Sequence, residues 1–513
     1  MHRAPICKRS VLRIVHHTFF QTGDTGIVHE HVDRTVGEFD DGDEVVDHVG
    51  IGEVRHVCRA TNSFCYVSQV FRRPCHHNNQ CPRIGVGGRQ CGTYPPRSPG
   101  YEYPYPLEFH AGGTYQPDQS VAEAAGYGPH MTNEINRFTI DVGEDDLADL
   151  RNRLRNTRWP DQLPDTGWDY GCDLAWLKEL AAWWADGFDW PSQQARLNRF
   201  NHLTTTIDSQ RIHFIHQRSP HDHALPLLLS HGWPGSVVEF QDVIGPLTDP
   251  TAHGGDEADA FHVIAPSLPG YAWSGPTHER GWGVERTARA FAALADRLDY
   301  GSYGVQGGDW GSLISRQIAQ VDPDHVVGCH VNMMTAGPPG NDDDFADITP
   351  LEQQHLDRAT WYMAEDNGYF RIQETRPQTL ATGLNDSPAG LLSWIGEKFH
   401  GWTHHEGDPF SAVDRDTLLT NVSVYWFTGT INSSTRIYFE TMRAPSPTLG
   451  ATGDVPLGVS TFPNELFAAR RRWVEAAHNL TFWADHDAGG HFAALENPKI
   501  LVSDIREFFR GLR

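Results

Sequence analysis

Lysine is nearly absent from this chain. Lys8, Lys178, Lys398 and Lys499 are the only four among 513 residues, and the formal net charge is −25. So acidic a balance excludes nucleic acid and anionic membrane surfaces as natural partners. Long apolar runs are missing as well, since none approaches the roughly 18–20 residues that a membrane-spanning helix needs. The opening residues lack the charged, apolar and small-residue regions of a signal peptide. These absences set the expectation of a cytoplasmic protein without a membrane anchor. Cysteine is scarce where the chain reads as globular: Cys172 and Cys329 alone lie beyond residue 91 and are expected to be free, buried thiols. The other six are Cys7, Cys58, Cys65, Cys75, Cys81 and Cys91, near His76 and His77, and they contain no CxxC pair. That spacing is a weak signal for zinc, so no metal and no cofactor is assigned.

At this length more than one domain is expected. Residues 1–130 alternate His, Cys, Gly, Pro and acidic residues without helical or strand period. They are expected to be a disordered or non-native extension, with Met131 as the natural start. Regular patterning begins there. Leu147, Leu150 and Leu154 form one helical stripe, and a second helix is predicted from Asp173 as N-cap to Asp186, with Gly187 as its stop. Ile207–Gln217 alternates like an exposed-edge strand. Leu225–Leu229 is continuously apolar, as buried parallel strands are. Further strands are predicted at Phe261–Ala265, Tyr303–Gln306, Val326–Val331, Val455–Phe462 and Leu480–Ala484, with a helix over Val284–Leu298. Such alternation predicts a doubly wound parallel sheet. Helical, aromatic-rich sequence from Pro350 to Met442 reads as an inserted lid. Asn497-Pro498 reads as the N-cap and first residue of a last helix.

Gly307-Gly308-Asp309-Trp310-Gly311-Ser312 lies between a predicted strand and a predicted helix. A strand, a sharp glycine-flanked turn and a helix lift one side chain over the carboxyl edge of a sheet. Serine is missing from that position. A carboxylate that displaces a leaving group from carbon leaves an ester that water can cleave at its carbonyl, whereas serine would leave an inert ether. Asp309 therefore points to alkyl transfer from an epoxide or haloalkane. The alternative is a tight turn with an N-capping Asp. His231-Gly232-Trp233-Pro234, directly after a buried strand, suits an oxyanion loop in which the N–H groups of Trp233 and Trp310 act as donors. The general base is expected in a glycine-supported loop after the last strand, as His491 in Gly489-Gly490-His491-Phe492 or as His486. Spacing leaves Glu465, Asp454, Asp485 and Asp487 all open as the acid that orients it.

From about Asn133 onward the chain resembles the microsomal-type epoxide hydrolases in a bacterial form. The resemblance rests on HGWPGS at 231–236, GGDWGS at 307–312, GYFRIQETRPQT at 368–379, LNDSPAGL at 384–391, LLTNVSVYWFTGTINSSTRIYFE at 418–440, FPNE at 462–465 and GGHFAALENP at 489–498. It implies an α/β-hydrolase fold with a helical lid and an N-terminal wrapping segment. The implied divisions are 131–225 for that segment, 226–345 and 451–513 for the core, and 346–450 for the lid. It further implies Asp309 as nucleophile, His491 as base, Glu465 as acid, and Tyr369 and Tyr438 as lid donors to the epoxide oxygen, with no cofactor. Expected partners are a small apolar epoxide and water, with a homodimer compatible. The lid aromatics Trp361, Tyr362, Trp394, Trp402 and Trp426 suggest the apolar substrate, the alternative being that they pack among themselves. Haloalkane dehalogenase is the nearest rival, because it shares the Asp cycle and needs halide-binding N–H donors, of which Trp310 could be one, in place of the tyrosines. A non-catalytic binding protein on the same scaffold is the rival of another class.

Overall fold

The computed structural model describes residues 134–341, 343–444 and 453–513. The expectations for residues 1–130, their cysteines included, lie outside the described residues. Nine strands form one sheet among those described: β1 (Asn136–Arg137), β2 (His202–Ile207), β3 (Gln210–Gln217), β4 (Leu225–Ser230), β5 (Phe261–Pro266), β6 (Tyr303–Gly307), β7 (Val326–Val331), β8 (Leu457–Thr461) and β9 (Leu480–Asp485). Their order is β1-β2-β3-β5-β4-β6-β7-β8-β9. The pairs from β5 through β9 are parallel, and the first three strands join antiparallel.

β4 lies between β5 and β6, which accounts for its unbroken apolar run. Leu227 and Leu229 pack to one side with Val263, Ile505 and Phe509, the last two from the final helix Pro498–Arg510. Leu228 faces the other way, into a cluster with Ile264, Phe291 and Ile314. The two faces follow from the two-residue period of a strand. Each is covered by helices, as a parallel sheet requires.

Ile207–Gln217 departs from expectation. It is no edge strand but the hairpin of β2 and β3, turning at Asp208 and Ser209 with φ of 50° and 60°. A two-residue hairpin turn favours such positive angles. β3 is interior, between β2 and β5. Its polar residues misled because they are paired inside: buried His213 bonds His202 Nδ1 at 2.9 Å and Ser267 Oγ at 2.9 Å. Asn497 does precede the last helix, yet its side chain makes no capping bond. Cys329 is buried but Cys172 only partly so.

The helix Glu144–Arg155 buries Leu147, Leu150 and Leu154. The next, Leu174–Asp186, is capped by Asp173, which accepts from Trp176 N–H at 2.8 Å. Both reach toward the helices inserted between β7 and β8. Arg153 meets Asp386 at 2.8 Å, and the Trp184 indole donates to Ser423 Oγ at 2.9 Å. The N-terminal segment is thus tied to the lid as well as to the sheet. The lid helices include Pro350–Trp361, Gly368–Thr375, Pro388–Trp402, Arg415–Thr428 and Ile431–Thr441. None of the described helices is long and apolar enough to cross a membrane.

Candidate active site

β4 and β6 end side by side at Ser230 and Gly307, and the loops that follow them meet. The turn after β6 is tight because glycine lets backbones touch. A Cβ on Gly311 would lie 1.9 Å from the Ser230 carbonyl oxygen, and one on Gly307 would lie 2.2 Å from that of Gly311. Between them Asp309 sits at φ 50°, ψ −130°. Such a conformation costs a non-glycine residue about 1–3 kcal/mol and marks sites where geometry is held for a purpose. Asp309 occupies the cap position of helix Trp310–Val321 but makes no side-chain cap bond. Its Oδ1 instead accepts from Trp233 N–H at 2.8 Å. The N-cap alternative is therefore excluded by direction. Trp310 opens the helix, where N–H groups lack intrahelical acceptors.

His491 follows β9 in a loop tied by its backbone to the Trp402–His404 segment: the His491 N–H donates to the Trp402 carbonyl at 3.0 Å and the Gly489 N–H to His404 Nδ1 at 2.9 Å. Its Nε2 lies 3.2 Å from Asp309 Oδ2, and its Nδ1 lies 2.8 Å from Glu465 Oε1. Burial alone would lower the His491 pKa, but the charges and hydrogen bonds of Glu465 and Asp309 hold it well above the ordinary 6.5. The other acids left open by spacing make no ion pair with it. Asp454, Asp485 and Asp487 are exposed, whereas Glu465 is wholly buried. His486 turns away to pair with Asp504 at 2.6 Å and to stack on Phe462.

Above Asp309 lies a cavity of about 190 Å³, lined by Trp310, Leu313, Met333, Thr335, Phe370, Leu466, Phe467 and three tyrosines, Tyr362, Tyr369 and Tyr438. Tyr369 stacks face to face on Trp233 with ring centroids 5.1 Å apart, and Tyr438 meets Trp310 edge-on at 4.7 Å. Burial pushes both phenols well above 10, so both stay protonated donors. The Tyr438 hydroxyl is buried without a hydrogen-bond partner among the described residues, and that of Tyr369 pairs with Tyr362 at 3.0 Å.

A sheet of this topology with a strand–turn–helix elbow at its carboxyl edge defines an α/β-hydrolase, here with a carboxylate where a serine would stand. Comparison with known proteins is consistent and narrower. The family model for the epoxide hydrolase N terminus matches residues 135–240, and that for the alpha/beta hydrolase fold matches 226–358. A Stigmatella aurantiaca protein, provisionally named an epoxide hydrolase, is 46% identical over 380 residues, 74% of this chain and 86% of that protein. Epoxide hydrolase 1 of Sus scrofa is 36% identical over 408 residues, 73% of this chain and 88% of its own. The solved epoxide hydrolase of Aspergillus niger superimposes with a TM-score of 0.67 at 33% identity, covering 74% of this chain and 97% of that one. The chain belongs to the epoxide hydrolase family.

Sequence reasoning missed part of this site. Of the five lid aromatics that suggested an apolar substrate, only Tyr362 lines the cavity, and the others follow the alternative of packing within the lid. Trp402 lies beside it, against Tyr369 and His491. Trp394 is held by Gln373, Trp426 lies under Arg153, and Trp361 lies under Arg358 on the surface. These rings pack the lid and cover cations. The apolar walls come instead from Phe370, Leu313, Met333, Leu466 and Phe467. Tyr362 reaches the cavity from a π-helical turn, Tyr362–Asp366, that continues the helix before it. Such turns often occur at functional sites, and no sequence pattern marks this one. Lys398, one of the four lysines, is buried at 2.6 Å from both Asp366 and Glu397, with its ammonium 4.6 Å over the Tyr369 ring. Glu239, an acid within the apolar run Val237–Phe240, also went unremarked. It lies beside Asp309 and His491.

Proposed function

We propose that this epoxide hydrolase opens a small apolar epoxide by attack of Asp309 and releases a vicinal diol after His491-activated hydrolysis of the resulting ester. With Oδ1 engaged by Trp233 N–H, Oδ2 attacks the less hindered epoxide carbon and the C–O bond of the ring breaks. The expelled oxygen receives hydrogen bonds from Tyr438 and Tyr369, and Tyr362 backs the latter. An alkoxide is a poor leaving group unless a donor meets it, which is what a buried phenol supplies. Esterification removes the negative charge of Asp309, one of the two anions that keep His491 protonated, so the imidazole becomes a stronger candidate base only after the ester exists. Glu465 fixes its tautomer through Nδ1. Attack by water then places developing charge on Oδ1, where the N–H groups of Trp233 and Trp310 receive it.

The observation that carries this reading is the cavity itself. One wall presents a carboxylate, another presents phenol hydroxyls of which that of Tyr438 has no hydrogen-bond partner of good geometry among the described residues, and the rest is mostly apolar. A halide site would call for N–H donors in place of those phenols. The divisions read from the sequence fit this scheme, with core segments 226–345 and 451–513 supplying nucleophile, base and acid, and the lid 346–450 supplying the tyrosines.

The test is a single turnover of styrene oxide in H₂¹⁸O, followed by mass spectrometry of diol and protein. The label is expected in the peptide containing Asp309 and not in the diol. Label passing directly into the diol would make Asp309 a general base and refute the ester route.

A further inference from the structure

Asp309 has a second cavity on it, separate from the one the tyrosines line. It measures about 10 Å³ and is bordered by Asp309, His491, Glu239, Ser230, Gln306 and Asn332. That volume is about what one water needs, and a water also needs two to four polar partners. The border offers them. Ser230 is 1% exposed, and its hydroxyl is buried with no hydrogen-bond partner among the described residues.

Glu239 is brought there by the local chain. It stands on the short 3₁₀ turn Val237–Phe240 directly after the oxyanion loop, between Val238 and Phe240, which are both buried. Its carboxyl occupies the space that Gly235 leaves free, since a Cβ at Gly235 would lie 1.5 Å from Glu239 Oε1. Any side chain at 235 would displace it. Burial pushes the Glu239 carboxyl up to about 8, with His491 opposing and Asp309 adding to the rise. At neutral pH it is mainly the acid, a neutral group that can accept a hydrogen bond without adding a second anion beside the nucleophile.

We infer that this cavity holds the water that cleaves the Asp309 ester and that Glu239 is the residue that positions it. The inference rests on the ester reading above. The water donates one hydrogen bond to the Glu239 carbonyl oxygen and the other to His491 Nε2. As its oxygen bonds to Cγ of Asp309, the proton passes to His491 and the carbonyl electron pair moves onto Oδ1 in the oxyanion loop. Collapse breaks the bond between Cγ and the alkyl oxygen, which takes the proton from His491. The second proton of the water, left on the Asp309 carboxyl, goes to the alkoxide that ring opening produced, by way of the phenol that met it. The diol thus leaves neutral and the carboxylate is restored. The substrate cavity and the water cavity thus meet Asp309 separately, and water need not enter past the bound alkyl group.

Rapid mixing of styrene oxide with wild type, Glu239→Met and Glu239→Gln, acid quenching and mass spectrometry of the Asp309 peptide would give the rates of ester formation and decay separately. Glu239→Met keeps the bulk and loses the acceptor. Ester formation should stay within about twofold of wild type while decay slows about 10- to 100-fold, the usual loss when a reacting group is misplaced by about an ångström. Glu239→Gln retains a carbonyl acceptor and should restore most of the decay rate. Decay at the wild-type rate in Glu239→Met would overturn the inference, as would equal losses in both steps, which mean only a damaged fold. Ser230→Ala tests the same cavity should Glu239→Met not fold, and should slow decay in preference to formation; unchanged decay there counts against the inference. If wild type forms no ester on Asp309, the ester reading itself fails.

Discussion

Replacing Tyr438 by Phe should make the protein more stable and the enzyme slower. The hydroxyl is buried, has no hydrogen-bond partner of good geometry among the described residues, and belongs to a side chain 1% exposed to solvent. An unsatisfied buried polar group costs about 1–3 kcal/mol, and removing it relieves that cost. The same hydroxyl is the group proposed to meet the alkoxide. A hydrogen bond to a charged partner contributes about 1.5–3 kcal/mol, so its loss should slow ring opening about 10- to 150-fold. Tyr369 differs in a way that provides the control. Its hydroxyl is bonded to Tyr362 at 3.0 Å, so Tyr369→Phe leaves Tyr362 without its partner. That substitution should slow ring opening by a similar factor while lowering stability by roughly 1–3 kcal/mol. Thermal or urea unfolding of the two variants, with rapid-quench measurement of Asp309 alkylation, reads both signs at once. A Tyr438→Phe variant that melts below wild type, or that alkylates Asp309 at the wild-type rate, would refute the reasoning. Opposite stability signs with parallel rate losses would support it, because a purely structural role cannot yield that combination.

Two further outcomes follow from the electrostatics. His491→Gln should still form the Asp309 ester but hydrolyse it about 10²–10⁴-fold more slowly, the usual contribution of a general base, so alkylated protein should accumulate in intact-mass spectra; fast turnover without accumulation would remove His491 from the scheme. Stability should also fall on the acid side. Burial lowers His216, His231, His330, His400 and His478 to about 4 and holds His213 well below its ordinary 6.5, so an unfolded chain takes up protons below about 6.5 that the folded one refuses. The stability they permit is complete above 6.5 and lost progressively as pH falls from there to about 4. Glu239 and Glu496, raised to about 8 and 7 by burial, and His491, held well above 6.5 by its two anions, act in the opposite sense but are fewer. The urea midpoint should therefore drop between pH 7.5 and 5, and an unchanged midpoint would contradict the balance.

Much of this protein was legible in one dimension because the signals are local. Continuous apolar runs marked β4 and β5, period 3.6 marked Glu144–Arg155 and Val284–Arg297, and glycines on both sides of Asp309 marked the turn. A strand's burial on both faces, a helix's single apolar stripe and a turn's need for close backbone approach are all written in a few consecutive residues. Errors arose where polar residues find partners far along the chain. β3 resembled an edge strand because the partners of His213, at positions 202 and 267, are invisible in a window of eleven residues.

The sequence by itself determined the order of elements, the elbow with Asp309 at its tip, and the loops that carry Trp233 and His491. Tertiary structure decided what surrounds them. It buried Glu465 2.8 Å from His491 and left the three other acids exposed, and it turned His486 to Asp504. It brought Tyr362 to the cavity through a π-helical turn and set Glu239 beside Asp309 in the space a glycine leaves. The physical reason is one of range. Hydrophobic period and backbone sterics act within a turn or a strand, whereas hydrogen-bond partners, desolvation and the shape of a cavity depend on residues that meet only once the sheet has formed and the lid has closed over it.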